Sequence, residues 1–102
     1  MLVFNVIFKC RPGMRETFLE KVKAAGIDAA SRAEAGNLAY DYYLSLANPD
    51  DLLLIEKYTD NDAVMSHVRQ PHTAKLVELQ KDCVLDVAME RFEGEPWKPE
   101  MK

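Results

Sequence analysis

The first apolar segment of the chain, residues 2–10, alternates two sets of side chains. One set is Leu2, Phe4, Val6 and Phe8, and the other is Val3, Asn5 and Ile7. A period of two predicts a β-strand, and because both sets are mainly apolar we expect both faces of the strand to be covered. The Arg11-Pro12-Gly13 turn ends this strand.

From Met14 to Glu34 the spacing of apolar residues changes to three and four. Phe18, Val22, Ala25, Ala29 and Ala33 recur in this way. This pattern predicts a helix. Gly26 weakens its middle and is expected to mark a kink or a close contact, and Gly36 is expected to end it.

Two further strands are predicted in the middle of the chain, over residues 37–46 and 52–59, separated by the turn Asn48-Pro49-Asp50-Asp51. A short turn of this type predicts an antiparallel hairpin. In the first strand, Leu38, Tyr40, Tyr42 and Leu44 share one face. In the second, Leu52, Leu54, Glu56 and Tyr58 share one face, which places a carboxylate in the strongest apolar run.

A second helical region follows. Asp60 is a suitable N-cap for a helix over 61–69, and Pro71 either breaks that helix or starts the next one over 72–81. The last strand is predicted over residues 83–92. We divide the chain into a domain over residues 1–92 and a C-terminal tail over 93–102, which either packs on a partner subunit through Trp97 or makes only an incidental contact.

The order β-α-β-β-α-β is that of an α+β ferredoxin-like fold: a four-stranded antiparallel sheet with the helices on one face. The first three strands are also apolar on their other face. An exposed apolar surface of that size would aggregate or bind a partner. We therefore expect a second copy of the chain to cover it, giving a homodimeric α/β barrel.

Composition narrows the class of protein. The chain has 102 residues, a net charge of −4 and no block of lysine and arginine, so neither a nucleic-acid nor a membrane partner is expected. Cys10 and Cys83 predict buried free thiols in a reducing compartment. The N-terminal residues are typical of a strand and not of a signal peptide, and a cytoplasmic location is expected.

Both histidines of the chain, His67 and His72, lie close after Glu56. These groups can move a proton near neutral pH. His67 shares a helical stripe with Val64 and Val68, where it is either a general acid/base or a satisfied core residue. Glu56 is a base, the group that orients His67, or a member of a structural ion pair.

Three further expectations concern ligands. Asn5 either binds a substrate carbonyl or developing oxyanion, or satisfies the backbone, and Tyr58 faces a cavity because it shares a strand face with Glu56. Two histidines and Glu56 can form an iron site, but Pro71 separates the histidines, so no metal is expected. No phosphate loop or dinucleotide fingerprint is present, so no cofactor is expected.

Two spaced motifs resemble the antibiotic biosynthesis monooxygenase (ABM) family. They are Glu56-x-Tyr58-x-Asp60-x-x-Ala63-x-x-x-His67-x-x-x-Pro71-His72 and, upstream, Ala35-Gly36-Asn37-Leu38-x-Tyr40. The resemblance extends over about residues 2–92 and implies a dimeric α/β barrel. Relatives include cofactor-independent monooxygenases of polyketides and quinols, a haem-degrading branch, and an isomerase-type enzyme acting on a phosphorylated autoinducer sugar.

The resemblance also implies roles for residues. Catalytic roles go to His67 and Glu56, and substrate-binding roles to Asn5, Tyr58, Asn37, Tyr40 and His72. The haem-degrading branch carries a tryptophan near the position of His67, which argues against haem. The expected function is cofactor-independent oxidation of a phenolic or quinol substrate by O2. The alternatives are an isomerase or tautomerase of a small hydroxy-carbonyl compound and a non-catalytic small-molecule-binding dimer.

Overall fold

The computed structural model describes residues 1–100, so the last two residues of the predicted tail lie outside the described part. Its elements are β1 (Leu2–Cys10), α1 (Arg15–Ala24), α2 (Ile27–Arg32), β2 (Asn37–Leu44), β3 (Asp51–Tyr58), α3 (Asn61–Val68), α4 (Pro71–Cys83) and β4 (Val84–Glu93). The predicted order of strands and helical regions is confirmed, with each helical region divided into two helices.

The four strands form one antiparallel sheet in the order β2-β3-β1-β4. This is the strand order of the ferredoxin-like fold, which the sequence predicts. Alternate residues of β3 are buried against the helices, from Leu52 through Leu54 and Glu56 to Tyr58. The β3 face that carries the carboxylate is therefore the helix-covered face.

The hydrophobic core lies between the sheet and the helices. Phe8 of β1 packs against Phe18 of α1 with ring centroids 5.2 Å apart, and Val22 and Leu54 are fully buried beside them. Cys10 and Cys83 are buried and unpaired, which confirms the predicted free thiols. In the described part of the chain, every helix is too short or too polar to cross a membrane.

Two glycines shape the path from α1 to β2. Gly26 adopts a left-handed φ of 70° and separates α1 from α2, so the predicted helix is kinked at this residue. Gly36 is not the end of α2, which stops at Arg32. Its φ is 81°, and an added Cβ would lie 2.6 Å from Cβ of Ala63, so the turn before β2 packs directly on α3.

A β-bulge lies at the start of β2. Asn37 pairs with Tyr58, whereas Tyr40 pairs with Glu56, and Leu38 is the extra residue between them. Directly paired residues share a sheet face, so Asn37 and Tyr40 both lie on the helix-covered face. Leu38 was expected on that face with Tyr40, but the bulge leaves it 54% exposed.

The helices that follow β3 begin as predicted. The side chain of Asp60 accepts a hydrogen bond of 2.9 Å from the backbone N–H of Ala63 and caps α3. Pro71 is the first residue of α4, where its missing N–H costs no helical hydrogen bond. The hydroxyl of Thr73 donates to the carbonyl oxygen of His67 at 2.7 Å, which joins the end of α3 to the first turn of α4.

Candidate functional site

His67 lies in the last turn of α3, and its ring stands between two carboxylates. Nδ1 lies 2.8 Å from Oε2 of Glu34, and Nε2 lies 3.3 Å from Oε1 of Glu56. All three side chains are almost completely shielded from solvent. One imidazole therefore connects two carboxylates that are themselves far apart in the sequence.

Glu56 is held by its strand neighbour. Because side chains of a strand alternate, Glu56 and Tyr58 emerge on the same face of β3, and the Tyr58 hydroxyl donates a 2.6 Å hydrogen bond to Oε1 of Glu56. Burial raises the pKa of the Glu56 carboxyl, while the hydrogen bond from Tyr58 and the charge of His67 act in the opposite direction. A carboxyl with a raised pKa holds a proton more firmly than an exposed one.

Glu34 is the member of the site that the sequence argument missed. It lies in the turn between α2 and β2, outside any regular element, and Oε2 lies 2.5 Å from Nε2 of His72 as well as 2.8 Å from His67. The one local signal is its position directly before the Ala35-Gly36-Asn37 motif. The spacing of apolar residues identifies Glu34 only as a polar residue at the end of the predicted helix.

His72 lies beside His67, contrary to the argument that Pro71 keeps the histidines apart. Their ring centroids are 6.0 Å apart, because α4 starts in a new direction at Pro71 and brings its second residue back towards the end of α3. The carboxylate between the two rings is Glu34 and not Glu56. Donor atoms of Glu34, His67 and His72 all lie within 4.8 Å of one another.

A small cavity opens on the Nε2 side of His67. Its volume is about 130 Å³, and it is lined by Phe4, Glu56, Tyr58, Val64, His67, Val68 and Met89. The polar groups of this lining are Glu56, Tyr58 and His67. The other four residues form apolar walls, so the cavity is suited to an apolar ligand that carries a hydroxyl or carbonyl group at one end.

Three of the expected substrate-binding residues lie near the site without lining the cavity. Tyr40 is buried beneath His67, with ring centroids 5.9 Å apart, and its hydroxyl lies 3.2 Å from that of Tyr42. Burial raises the pKa of Tyr40 to about 12. Asn37 donates from its side chain to the carbonyl oxygen of Ala39, and His72 contacts Glu34 on the opposite side of His67.

Asn5 is not brought together with the other predicted residues. Its neighbour Phe4 is paired with Glu56, whereas Asn5 is paired with Ile55. Because successive side chains of a strand point to opposite faces, Asn5 lies on the sheet face that the helices do not cover. The cavity beside His67 is therefore built without it.

The arrangement can store and transfer a proton. If both carboxylates are ionised, His67 donates a hydrogen bond to each of them when both of its ring nitrogens carry hydrogen. If the ring is neutral, one of the two carboxyl groups carries the proton instead. Glu56 and Tyr58 face the cavity, whereas Glu34 lies on the Nδ1 side of the ring. A proton taken from a ligand can thus be shared across His67 with Glu34.

The fold and this cluster define a ferredoxin-like α+β domain with a buried group of ionisable side chains at a small, mostly apolar cavity. The family model for antibiotic biosynthesis monooxygenase matches residues 1–79. The chain belongs to this family, which confirms the resemblance of its two motifs.

Similar proteins agree with this assignment. A protein of Bacillus subtilis (strain 168), described as "Putative monooxygenase YcnE", is 30% identical over 82 residues, covering 80% of this chain and 84% of that protein. Two solved structures show the same fold. PA3566 from Pseudomonas aeruginosa has a TM-score of 0.82 and 23% identity over 93% of this chain and 94% of its own. Rv0793 from Mycobacterium tuberculosis has a TM-score of 0.81 and 23% identity, and the match covers 96% of this chain and 98% of that protein.

Proposed function

We propose that this protein is a cofactor-independent monooxygenase that oxidises a phenolic or quinol-type small molecule with O2. The observation that carries the proposal is the position of Glu56, Tyr58 and His67 at one side of an otherwise apolar cavity. Membership of the ABM family and similarity to a protein described as a monooxygenase support the reaction class.

The cavity size supports a substrate that places one ring in the site. Its volume of about 130 Å³ is close to that of an engineered apolar cavity of about 150 Å³ that binds benzene. Phe4 offers an aromatic contact to such a ring, and Val64 and Val68 offer aliphatic contacts. A larger substrate would extend from the mouth of the cavity.

The reaction balances without an added reductant. For a phenol, one ring C–H bond becomes C=O, the phenolic C–OH becomes the second C=O, and the other oxygen atom of O2 leaves as water. The substrate supplies all four electrons, and its two lost hydrogens are those of the water. The protein has to remove the phenolic proton, which makes the ring electron-rich enough to react with O2.

Two residues are assigned the proton transfers. Oε1 of Glu56 lies 3.3 Å from Nε2 of His67, and both side chains line the cavity. Either residue can therefore accept the substrate proton while the other stabilises the charge that forms. Tyr58 donates to Glu56 and holds its carboxylate in place. His67 then shares the proton with Glu34 at 2.8 Å, which clears the cavity for the next transfer.

Oxygen uptake by chelator-treated protein tests this function, with a panel of single-ring phenols and quinols. We expect uptake above the spontaneous rate, a loss of roughly 10²- to 10⁴-fold in His67→Ala and Glu56→Gln, and no change in Glu20→Gln, an exposed control. Uptake equal to the spontaneous rate would overturn the proposal. Turnover of hydroxy-carbonyl compounds under nitrogen would instead identify an isomerase or tautomerase.

We further propose that the protein works as a cytoplasmic homodimer, with the uncovered sheet faces packed together. That face carries a groove of about 280 Å³ lined by Ile7, Tyr43, Leu44, Ser45, Asp51 and Leu53. Light scattering after gel filtration should give twice the monomer mass. Leu53→Asp should give a monomer, whereas Leu46→Asp, at a fully exposed loop position, should leave the dimer intact; a monomeric wild type would refute the assembly.

A further inference from the structure

The cluster on the Nδ1 side of His67 shares only His67 with the cavity lining. Glu34, His67 and His72 come from the α2–β2 turn, the end of α3 and the start of α4. Their donor atoms all lie within 4.8 Å of one another. Three segments thus bring two imidazoles and one carboxylate to a single point.

These ligand types are those of a divalent transition metal. Two histidines and one glutamate form the protein ligands of many catalytic zinc sites, which leave a fourth position open. Imidazole suits zinc, copper, iron and nickel, whereas magnesium and calcium prefer oxygen ligands. The set in this protein therefore favours an ion of the zinc class over an alkaline-earth ion.

The present distances are those of hydrogen bonds. Oε2 of Glu34 lies 2.8 Å from Nδ1 of His67 and 2.5 Å from Nε2 of His72. Around a tetrahedral ion with bonds of about 2.1 Å, ligand atoms lie about 3.4 Å apart. To hold an ion in place of the shared protons, each of these two oxygen–nitrogen distances has to lengthen by less than about 1 Å, and Glu34 belongs to a turn that no helix or strand fixes.

The surroundings of His67 are those of a metal-bound histidine. Such histidines usually present their second nitrogen to a carboxylate, which fixes the ring and increases its basicity. Nε2 of His67 lies 3.3 Å from Oε1 of Glu56, and Tyr58 holds that oxygen by a hydrogen bond of 2.6 Å. The side chains of Glu34, His67 and His72 are also mostly buried, so few waters compete for the ion.

We propose that Glu34, His67 and His72 bind one divalent transition metal ion of the zinc class per chain, with Glu56 orienting His67 from behind. This site goes beyond the proposed oxidation, which uses the metal-free protein, because an ion on Nδ1 takes the place of the proton that His67 shares with Glu34. The ion would occupy Nδ1 of His67, whereas the cavity lies on the Nε2 side. Binding can therefore be measured with the ion alone, in the absence of any substrate.

Zinc titration by calorimetry tests the site, using protein without a histidine tag after removal of bound metal. We expect the wild type to bind one Zn²⁺ per chain and to show no measurable binding of Mg²⁺. His72→Gln should weaken binding by at least about tenfold through loss of a ligand, and Glu56→Gln by roughly 10- to 100-fold through loss of the supporting carboxylate. Glu20→Gln, at an exposed carboxylate, should bind as the wild type does.

Cobalt gives an independent measurement, because a four-coordinate Co²⁺ site of this type absorbs visible light strongly. The band should appear with one equivalent of Co²⁺ and be absent in Glu34→Gln. Circular dichroism of each variant confirms that it is folded. Absence of stoichiometric binding in the wild type, or equal affinity in the wild type and folded His72→Gln, would overturn the site, whatever the oxygen-uptake experiment shows.

Discussion

Oε2 of Glu34 lies 2.8 Å from Nδ1 of His67, although 33 positions separate the two residues in the sequence. The same carboxylate contacts His72. Hydrogen bonds to charged groups contribute more than neutral ones, so Glu34→Gln should lower the free energy of unfolding by roughly 1–3 kcal/mol, measured by urea denaturation in chelator.

Glu20→Gln is the matched control for this change, because Glu20 is exposed. We expect its effect to stay within about 0.5 kcal/mol. If Glu34→Gln unfolds at the same urea concentration as the control, Glu34 does not hold the two histidines in solution.

Tyr58→Phe removes the donor that Glu56 uses inside the protein. The loss of this hydrogen bond from the buried carboxylate should cost roughly 1–3 kcal/mol of stability, and the pKa of Glu56 should rise further because the Tyr58 hydroxyl lowers it. A carboxyl with a raised native pKa favours folding in its protonated form, and this benefit is lost as the pH rises through that pKa. Tyr58→Phe should therefore destabilise more at neutral to alkaline pH than in mild acid.

The control is Tyr43→Phe, at a tyrosine that lies outside the site, on the sheet face proposed to form the dimer, and that is half-exposed in the single chain. Urea denaturation of both variants at several pH values separates a general effect of losing a hydroxyl from the loss of the Glu56 hydrogen bond. Equal destabilisation at every pH would contradict a Tyr58 role in holding the ionised carboxylate.

Gly36→Ala should destabilise the protein through two effects at one residue. The positive φ of 81° is unfavourable for alanine, and its Cβ would lie 2.6 Å from that of Ala63. We expect a loss of roughly 2 kcal/mol or more in thermal or urea unfolding. Gly94→Ala, where a Cβ meets no atom within 4 Å, should change stability little, and similar losses in both would contradict the close contact.

Cys10 should react slowly with thiol reagents. Burial raises the pKa of its thiol to about 11, so little thiolate is present at pH 8, and the side chain is shielded. In Cys83→Ala, which leaves Cys10 as the one thiol, a disulfide-exchange reagent should label the native protein much more slowly than the urea-unfolded protein. Equal rates would show that the native thiol is exposed.

The sequence predicts the fold well because its signals are local and periodic. The alternation in β3 places Leu52, Leu54, Glu56 and Tyr58 on one buried face, and Asp60 and Pro71 mark the starts of α3 and α4. The sequence does not predict the bulge at Leu38, because one extra residue hardly changes the composition from which a strand is recognised. The bulge nevertheless places Asn37 and Tyr40 on one face.

The candidate site is predictable only in part. Glu56, Tyr58 and His67 stand out as polar groups within apolar patterns, and the structure brings them together at one cavity. Glu34 has no such pattern around it, because a turn residue acquires its partners only from the tertiary fold. Asn5 and Glu56 lie on opposite faces of the sheet, because the strand partner of Glu56 is Phe4 and not Asn5.

The cavity walls have a consequence for how the protein can diversify. Phe4 and Met89 come from the strands β1 and β4, whereas the ionisable groups of the cluster all come from residues 34–72. Substitutions at these two wall positions can thus change the shape of accepted molecules while the acid–base groups stay as they are. In the proposed function, the part of the selectivity that Phe4 and Met89 contribute is therefore encoded outside the segment that carries the ionisable groups, and it can evolve without rebuilding them.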